Sequence, residues 1–296
     1  MILSNIKGII IPEGAVKQIA DGAGRILWKG GAVDVATMAI GYTGDYTDQA
    51  DVIMGDGKTY RLLTLTGSGT LTLDQSVKAD VWLCAGGNGG RTGGSHGGGG
   101  GRFVQAESHL AKSTVCIVGA GANGATSLAS DGVGNSTLFG SLTAEQAEGS
   151  YASANGASGG GAGGGGSASQ YAKGAGDGVS ARPFGDNGFD IHSAGGGGGG
   201  YRDRELDDDY SGGAGGSDGA NGGSRSSSGY NGGAGGTKGG GAGGNGSTSG
   251  AGANATYYGS GGGGGGYYCT TSGSVTKSKG GAGYQGVIYV RIPYEQ

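Results

Sequence analysis

Ala194-Gly195-Gly196-Gly197-Gly198-Gly199-Gly200-Tyr201 and Ser260-Gly261-Gly262-Gly263-Gly264-Gly265-Gly266-Tyr267 write one pattern twice, a run of glycines closed by tyrosine. A third run, Gly97–Gly101, ends on Arg102-Phe103. Such runs have no side chains to bury, and glycine loses more backbone freedom on folding than any other residue. They are therefore either disordered or held by main-chain hydrogen bonds in a lattice that only glycine can enter. With 81 glycines among 296 residues, the choice between the two decides the fold.

The rest of the sequence favours order. Only three prolines are present and the glycines cluster, so the Gly-X-Y repeat of collagen is excluded. Outside the runs lie ordinary strand patterns. Thr70-Leu71-Thr72-Leu73 alternates strictly, and Thr59-Tyr60-Arg61-Leu62-Leu63-Thr64-Leu65-Thr66 in part, with the period of two expected of strands with one buried face. Asp80–Ala85, Phe103–Glu107, Thr114–Val118 and Gly286–Ile292 are further strands, several of them running into or out of glycine. Strands near both ends of a long glycine-rich region imply that its ends meet in one sheet system.

Between about Gly149 and Gly283, glycine tracts alternate with dissimilar inserts. The unit Gly-Gly-Ala-Gly-Gly starts at Gly160, Gly212, Gly232 and Gly240, which suggests similar tracts packed side by side. In the extended threefold helix, three residues make one turn at ~3.1 Å rise each, so six glycines span ~19 Å. Without Cβ atoms, neighbouring helices can approach on every side and pair their N–H and C=O groups, as buried backbone demands. Interior helices should then be pure glycine, whereas peripheral ones can carry a small residue facing outward. The expected fold is mainly β and irregular: a β-sandwich-like frame carrying a bundle of polyglycine II helices with variable loops, plus a small N-terminal hairpin.

The inserts are rich in tyrosine, serine and asparagine, the chemistry that gives antibody paratopes rigid contact area and adaptable hydrogen bonding. They supply the candidate binding residues Tyr171, Arg182, Phe184, Phe189, Tyr201, Arg202, Arg204, Asp208, Tyr210, Tyr230, Tyr257, Tyr258, Tyr267 and Tyr268. The run Tyr201–Tyr210, YRDRELDDDY, is the densest charge cluster; a solvated loop with internal ion pairs is its plain reading, and receptor contact or an ion at Asp203–Asp209 its alternatives. Residues 1–31 read as a hairpin around Asp21-Gly22-Ala23-Gly24, with Ile26 and Trp28 as docking residues toward another protein or toward its own chain. Residues 32–57 read as a turn-rich linker, and residues 58–296 as the glycine-rich binding domain.

Net charge of −4 gives no field toward nucleic acid or anionic membrane. No apolar stretch is long enough to span a bilayer, and Met1–Lys7 lacks the features of a signal peptide. Cys84, Cys116 and Cys269 have no metal or redox spacing and read as buried free thiols. Gly119-Ala120-Gly121-Ala122-Asn123-Gly124 matches the dinucleotide fingerprint but lacks the following helix and acidic strand end. Gly55–Thr59 is a turn before a strand rather than a P-loop. His96, His109 and His192 are scattered, so no metal, cofactor or catalytic set is expected; Glu145, Glu148 and Asp207–Asp209 are only nominal carboxylates for a glycan-degrading reaction.

Lys58-Thr59-Tyr60, Thr66–Leu73, Val81–Gly87, the glycine runs and the Gly286-Val287-Ile288-Tyr289-Val290-Arg291-Ile292 ending together resemble the glycine-rich domain of bacteriophage and prophage tail-fibre proteins, over about residues 58–293. The tract-and-insert region is similar in style to the tip adhesins of T-even-type phages. That resemblance implies packed polyglycine helices whose loops at one end bind a bacterial surface glycan or protein. It also implies a virion protein without enzymatic activity, assembled in the host cytoplasm and acting outside. The N-terminal segment is more similar to the docking modules of tail proteins from phages of Gram-positive gut bacteria, which implies attachment to other tail proteins and leaves monomer and homotrimer open. A structural or ice-binding glycine-helix protein is the alternative class.

Overall fold

The computed structural model describes residues 18–20, 26–29, 34–94, 96–110, 112–127, 132–146, 182–216, 230–236, 238–248 and 250–294. In chain order the strands are β1 (Gln18–Ala20), β2 (Ile26–Lys29), β3 (Ile40–Tyr42), β4 (Tyr46–Ile53), β5 (Thr59–Leu65), β6 (Gly69–Leu73), β7 (Val77–Cys84), β8 (Phe103–Leu110) and β9 (Ser113–Ile117). They continue as β10 (Thr137–Phe139), β11 (Leu142–Ala144), β12 (Tyr201–Asp203), β13 (Asp208–Tyr210), β14 (Tyr267–Cys269), β15 (Val275–Lys277) and β16 (Val287–Pro293). A single 3₁₀ turn, Pro183–Gly185, is the helical element among the described residues.

The period-two alternation of the strand-rich segments builds a sandwich. One antiparallel sheet has the order β4-β5-β16-β7-β8, the other β11-β10-β9-β6-β3. Val290 sits opposite Leu63 on one side and Val81 on the other, so β16 ties the C-terminal end of the chain between two strands from its first third. Leu63, Leu65, Val81, Leu83, Ile288, Val290 and Ile292 face inward and meet Leu71, Leu73, Cys116, Phe139 and Ala144 of the second sheet. The alternate residues of the first sheet, Tyr60, Leu62, Trp82, Cys84, Val287 and Tyr289, form a second apolar layer on its outer face. That face is covered by Phe184, Phe189, Ile191 and Tyr258.

Residues 40–53, inside the segment read as a linker, supply the edge strands β3 and β4 of the two sheets. β4 is exposed along nearly its whole length. An edge strand with a solvated face needs no apolar alternation, which is why Tyr46-Thr47-Asp48-Gln49-Ala50-Asp51 gave no strand signal. Arg61 pins this edge, donating to both carboxylate oxygens of Asp48 at 2.9 and 2.6 Å and to the carbonyls of Val35 and Met38. β1 and β2 pair as the expected antiparallel hairpin, Ile19 opposite Trp28. The remainder of residues 1–33 and the side chains of Ile26 and Trp28 lie outside the described residues.

The glycine tracts continue the strands. β7 passes into residues 85–91, residues 96–101 into β8, β9 into residues 119–125, and residues 280–286 into β16. The described tracts adopt neither helix nor strand, yet the runs at residues 195–200 and 261–266 are completely buried. Their polar groups are paired between tracts. Within residues 261–266 the N–H groups of Gly261 and Gly264 donate to Ala194 and Gly197, those of Gly262 and Gly265 to Asn88 and Arg91, and those of Gly263 and Gly266 to Ala253 and Gly250. The carbonyls accept with the same period of three, from Gly241 and Gly244, from Gly98 and Gly94, and from Gly281 and Ser278. These bonds are 2.7–2.9 Å long, and every main-chain N–H and C=O of the run is satisfied.

The six surrounding tracts are bonded to one another in a closed ring. Residues 195–200 bond to 240–244, 240–244 to 250–255, 250–255 to 279–286, 279–286 to 85–91, 85–91 to 96–101, and 96–101 back to 195–200. Tract 261–266 is therefore the axis of a hexagonal bundle. A Cβ at Gly196 would fall on the carbonyl oxygen of Gly262, and one at Gly263 on that of Ala242. Toward the periphery, burial itself repeats every three residues: Gly213, Gly216, Gly233, Gly236, Gly241 and Gly244 are buried, whereas Ala214, Ala234 and Ala242 are exposed. Asparagine enters where its side chain replaces a lattice carbonyl, as buried Asn88 does by accepting from the N–H of Gly134 at 2.9 Å. The dinucleotide-like Gly119–Gly124 match is one of these tracts, with Ala122 and Ala125 donating to the carbonyls of Gly87 and Gly90.

Candidate functional site

The lattice has two ends. Residues 85, 101, 193, 259 and 286 meet at the sandwich, where Ser193 Oγ donates to the carbonyl of Gly101 and the N–H of Ala85 donates to Arg102. Residues 91, 94, 200, 244 and 266 meet at the opposite end, linked by Gly94 to Gly265, Gly200 to Gly244 and Tyr267 to Gly200. The two six-glycine runs lie side by side and leave the lattice in step. They become the parallel strands β12 and β14, with Tyr201 opposite Tyr267, Arg202 opposite Tyr268 and Asp203 opposite Cys269. β13 and β15 flank them, giving the tip sheet the order β13-β12-β14-β15.

The tip is built on tyrosine rings. Tyr201 and Tyr267 stack face to face, 4.3 Å between centroids and 6° between planes. Tyr210 lies 5.9 Å from Tyr201 at 43°. The Arg202 guanidinium sits 4.0 Å above the ring of Tyr230, a cation–π geometry, with its Nε 3.8 Å from Asp209. Gly94, at φ +68°, floors the stack: a Cβ there would lie 2.8 Å from Cβ of Tyr267 and 3.1 Å from Cδ2 of Tyr201. The Asp203 carboxylate is buried at the hairpin base. It accepts from the N–H groups of Glu205 and Leu206 at 3.0 and 3.2 Å and from the Tyr201 hydroxyl at 3.1 Å. Burial, then Tyr267 and Asp203, push the Tyr201 phenol well above its ordinary range, so it stays a neutral donor.

Neighbouring turns lock onto this platform. Gly246 donates to the carbonyl of Tyr230 at 2.7 Å, Asn245 Oδ1 accepts from Gly232 at 2.9 Å, and Asn231 donates to Ser211 Oγ at 3.1 Å. The tip thus gathers Tyr201, Arg202, Arg204, Tyr210, Tyr230, Tyr267 and Tyr268 from separate inserts. Leu206 is 67% exposed at the apex of the β12–β13 hairpin, and Val275 on β15 is 49% exposed. Asp208 belongs to β13, and its side chain lies outside the described ones.

The other candidates sit elsewhere. Phe184 and Phe189 pack against each other at 5.8 Å, and Phe189 against Tyr289 at 5.1 Å, on the outer face of the first sheet. Arg182 donates through Nη1 to the carbonyl of Phe189, while Arg291 lies 4.4 Å above the Phe184 ring. Tyr257 and Tyr258 lie beside buried His192 at the sandwich end of the lattice. Tyr171 lies outside the described residues. Asp203, read from sequence as part of a solvated charge run or an ion site, instead caps its own hairpin, and Gly94 and Asn245 were not singled out. The signal of these last two was weak, because a glycine pair and one Asn-Gly step are common in this composition.

Cys84, Cys116 and Cys269 are all free and buried, and burial pushes the thiol of Cys116 up to about 11 and that of Cys84 up to about 12. Among the described residues no helix is long and apolar enough to cross a membrane, and no group of three or more histidine, cysteine or carboxylate side chains is placed to hold a metal ion. No curated protein matches the chain. Residues 64–293, which take in most of the sandwich, the whole described lattice and the tip, match the family model of the glycine-rich domain, and the chain belongs to that family.

Proposed function

We propose that the tracts are polyglycine II helices and that the tip they carry is the receptor-binding end of a bacteriophage or prophage tail-fibre adhesin. The helical reading rests on the period of three shared by hydrogen bonding and burial, which is the residue count per turn of that extended helix. The functional reading rests above all on one observation. The two six-glycine runs deliver Tyr201 and Tyr267 side by side at the end farthest from the sandwich, with Arg202, Tyr210, Tyr230 and Tyr268 around them. A rigid scaffold that presents aromatic and adaptable polar groups at one end is a binding architecture.

On this reading the partner is a glycan or protein of a bacterial surface, and residues 1–31 attach the chain to other tail proteins. The protein acts as part of a virion at the cell surface, as monomer or homotrimer. It works by binding alone, without catalysis, cofactor, metal, nucleic acid or membrane insertion. The experiment is adsorption of the fluorescent full-length protein to host cells. Replacing Arg202–Tyr210 together with Tyr268–Ser274 by Gly-Ser should abolish adsorption while leaving hydrogen-exchange protection of the sandwich strands unchanged. Adsorption equal to wild type after both replacements would remove the tip from recognition.

A further inference from the structure

We infer that His192 is an acid-sensitive latch that holds residues 182–192 and the turn at residues 256–258 against the outer face of the first sheet. His192 is completely buried where the sandwich, the covering segment and the start of tract 195–200 meet. Its ring lies 5.2 Å from Trp82 of β7, 5.4 Å from Tyr289 of β16, 5.0 Å from Tyr257 and 6.0 Å from Tyr258, the last nearly parallel at 14°. Nδ1 is 2.8 Å from the carbonyl oxygen of Asp190, which can only accept, so Nδ1 carries the proton. Nε2 is then the bare nitrogen, and the Tyr289 hydroxyl donates to it across 3.0 Å. The neutral ring is fully matched.

A second proton breaks this match. Nε2–H could be accepted only if the Tyr289 hydroxyl turned its own proton away from the ring, and the cation would sit where water does not reach it. The groups facing it offer little compensation. β7 contributes Trp82 and Cys84, β16 contributes Tyr289, and the turn contributes Tyr257 and Tyr258, all neutral. The covering segment brings Arg182, whose guanidinium donates to the carbonyl of Phe189, and Asp190, whose carboxylate is taken by Lys238 Nζ at 2.8 Å. Burial outweighs the pull of Asp190 and holds the imidazole down at about 4, against ~6.5 for a solvated histidine.

The sign follows. Between these values a state with His192 in water binds more protons than the closed state, so acid favours opening, and above ~6.5 the latch is closed. At pH 4.5 the opening equilibrium shifts by roughly 70-fold relative to pH 7.4. Phe184, Phe189 and Ile191 would leave the apolar layer of Tyr60, Leu62, Trp82 and Tyr289. Tract 261–266 carries no titratable side chain and should stay closed.

Hydrogen exchange on the full chain at pH 7.4 and 4.5, corrected for intrinsic rates, tests the latch. Amides of residues 186–193 should lose at least tenfold in protection at pH 4.5, while those of residues 261–266 keep theirs. In His192→Gln, which has no titration, the ratio between the two pH values should be close to one whatever its starting protection. An NMR titration of the His192 ring should place its protonation below pH 5. Unchanged protection of residues 186–193 in the wild type, the same loss in His192→Gln, or ring protonation at pH 6 or above would each overturn the proposal.

Discussion

The sandwich and the lattice are two interiors in one chain, joined end to end and built on opposite rules. In the sandwich the backbone pairs within sheets, and cohesion between sheets comes from side chains such as Leu63, Leu83, Val290 and Phe139. In the lattice there are almost no side chains. The backbone is both wall and filling, and cohesion comes from N–H···O=C bonds radiating in six directions from tract 261–266. A side-chain core tolerates a change of volume because neighbours can shift, at a cost. A main-chain core has nothing flexible to move. The lattice therefore exchanges adaptability for rigidity, which suits a part whose task is to hold a tip in place.

Four substitutions sharpen that contrast. The largest effect is expected from Gly263→Ala. The new methyl would strike the Ala242 carbonyl, whose tract is itself bonded to tracts 250–255 and 261–266. Loss of ~4 kcal/mol or more is expected, seen as failure to express in soluble form or a collapse of the thermal midpoint. Leu63→Ala, in the centre of the sandwich, should cost ~2–5 kcal/mol in denaturant unfolding, with the tip still formed. The smallest effect is expected one residue from a critical site. Ala234→Ser, on the exposed side of its tract, should change stability by less than ~0.5 kcal/mol. Its neighbour Gly233→Ala should behave like Gly263→Ala, since a Cβ at Gly233 meets the carbonyl of Gly213. Equal tolerance at positions 233 and 234 would break the distinction between inward and outward sites.

Much of the frame was legible because period-two alternation reports a strand with one buried face. Thr70–Leu73 carries it throughout and Thr59–Thr66 in part, whereas Val81–Cys84 is a continuous apolar run buried on both faces; each forms a strand. β3 and β4 escaped, being edge strands without an apolar stripe, and β10 and β11 escaped because three residues carry no period. The glycine runs announced a lattice but not its neighbours. Nothing in six identical residues distinguishes residues 195–200 from 261–266, or says that 261–266 is the axis and 195–200 lies beside it.

The candidate site was half legible. Tyr201 and Tyr267 were marked by ending the two runs, and those runs being parallel neighbours brings them together. Phe184, Phe189, Tyr257 and Tyr258 carry the same aromatic signal, yet Phe184, Phe189 and Tyr258 cover the outer face of the sheet and Tyr257 packs on His192. An aromatic residue after a glycine tract looks the same whether the tract ends at the sandwich or at the tip. Direction of travel through the lattice separates the two, and that direction is a property of the assembled bundle.

The chain's own residues determined that there would be strands of one buried face, that pure-glycine tracts would be interior and alanine-bearing ones peripheral, and that tyrosines would stand where the tracts end. Those follow from local chemistry: which groups can be buried, and which residues lack a Cβ. Only the tertiary structure decided which tract is surrounded, which inserts meet at the tip, and that His192 closes the junction between the two interiors. Main-chain hydrogen bonds are identical at every glycine, so partner choice comes from the strands that anchor each tract and from the order in which the chain returns.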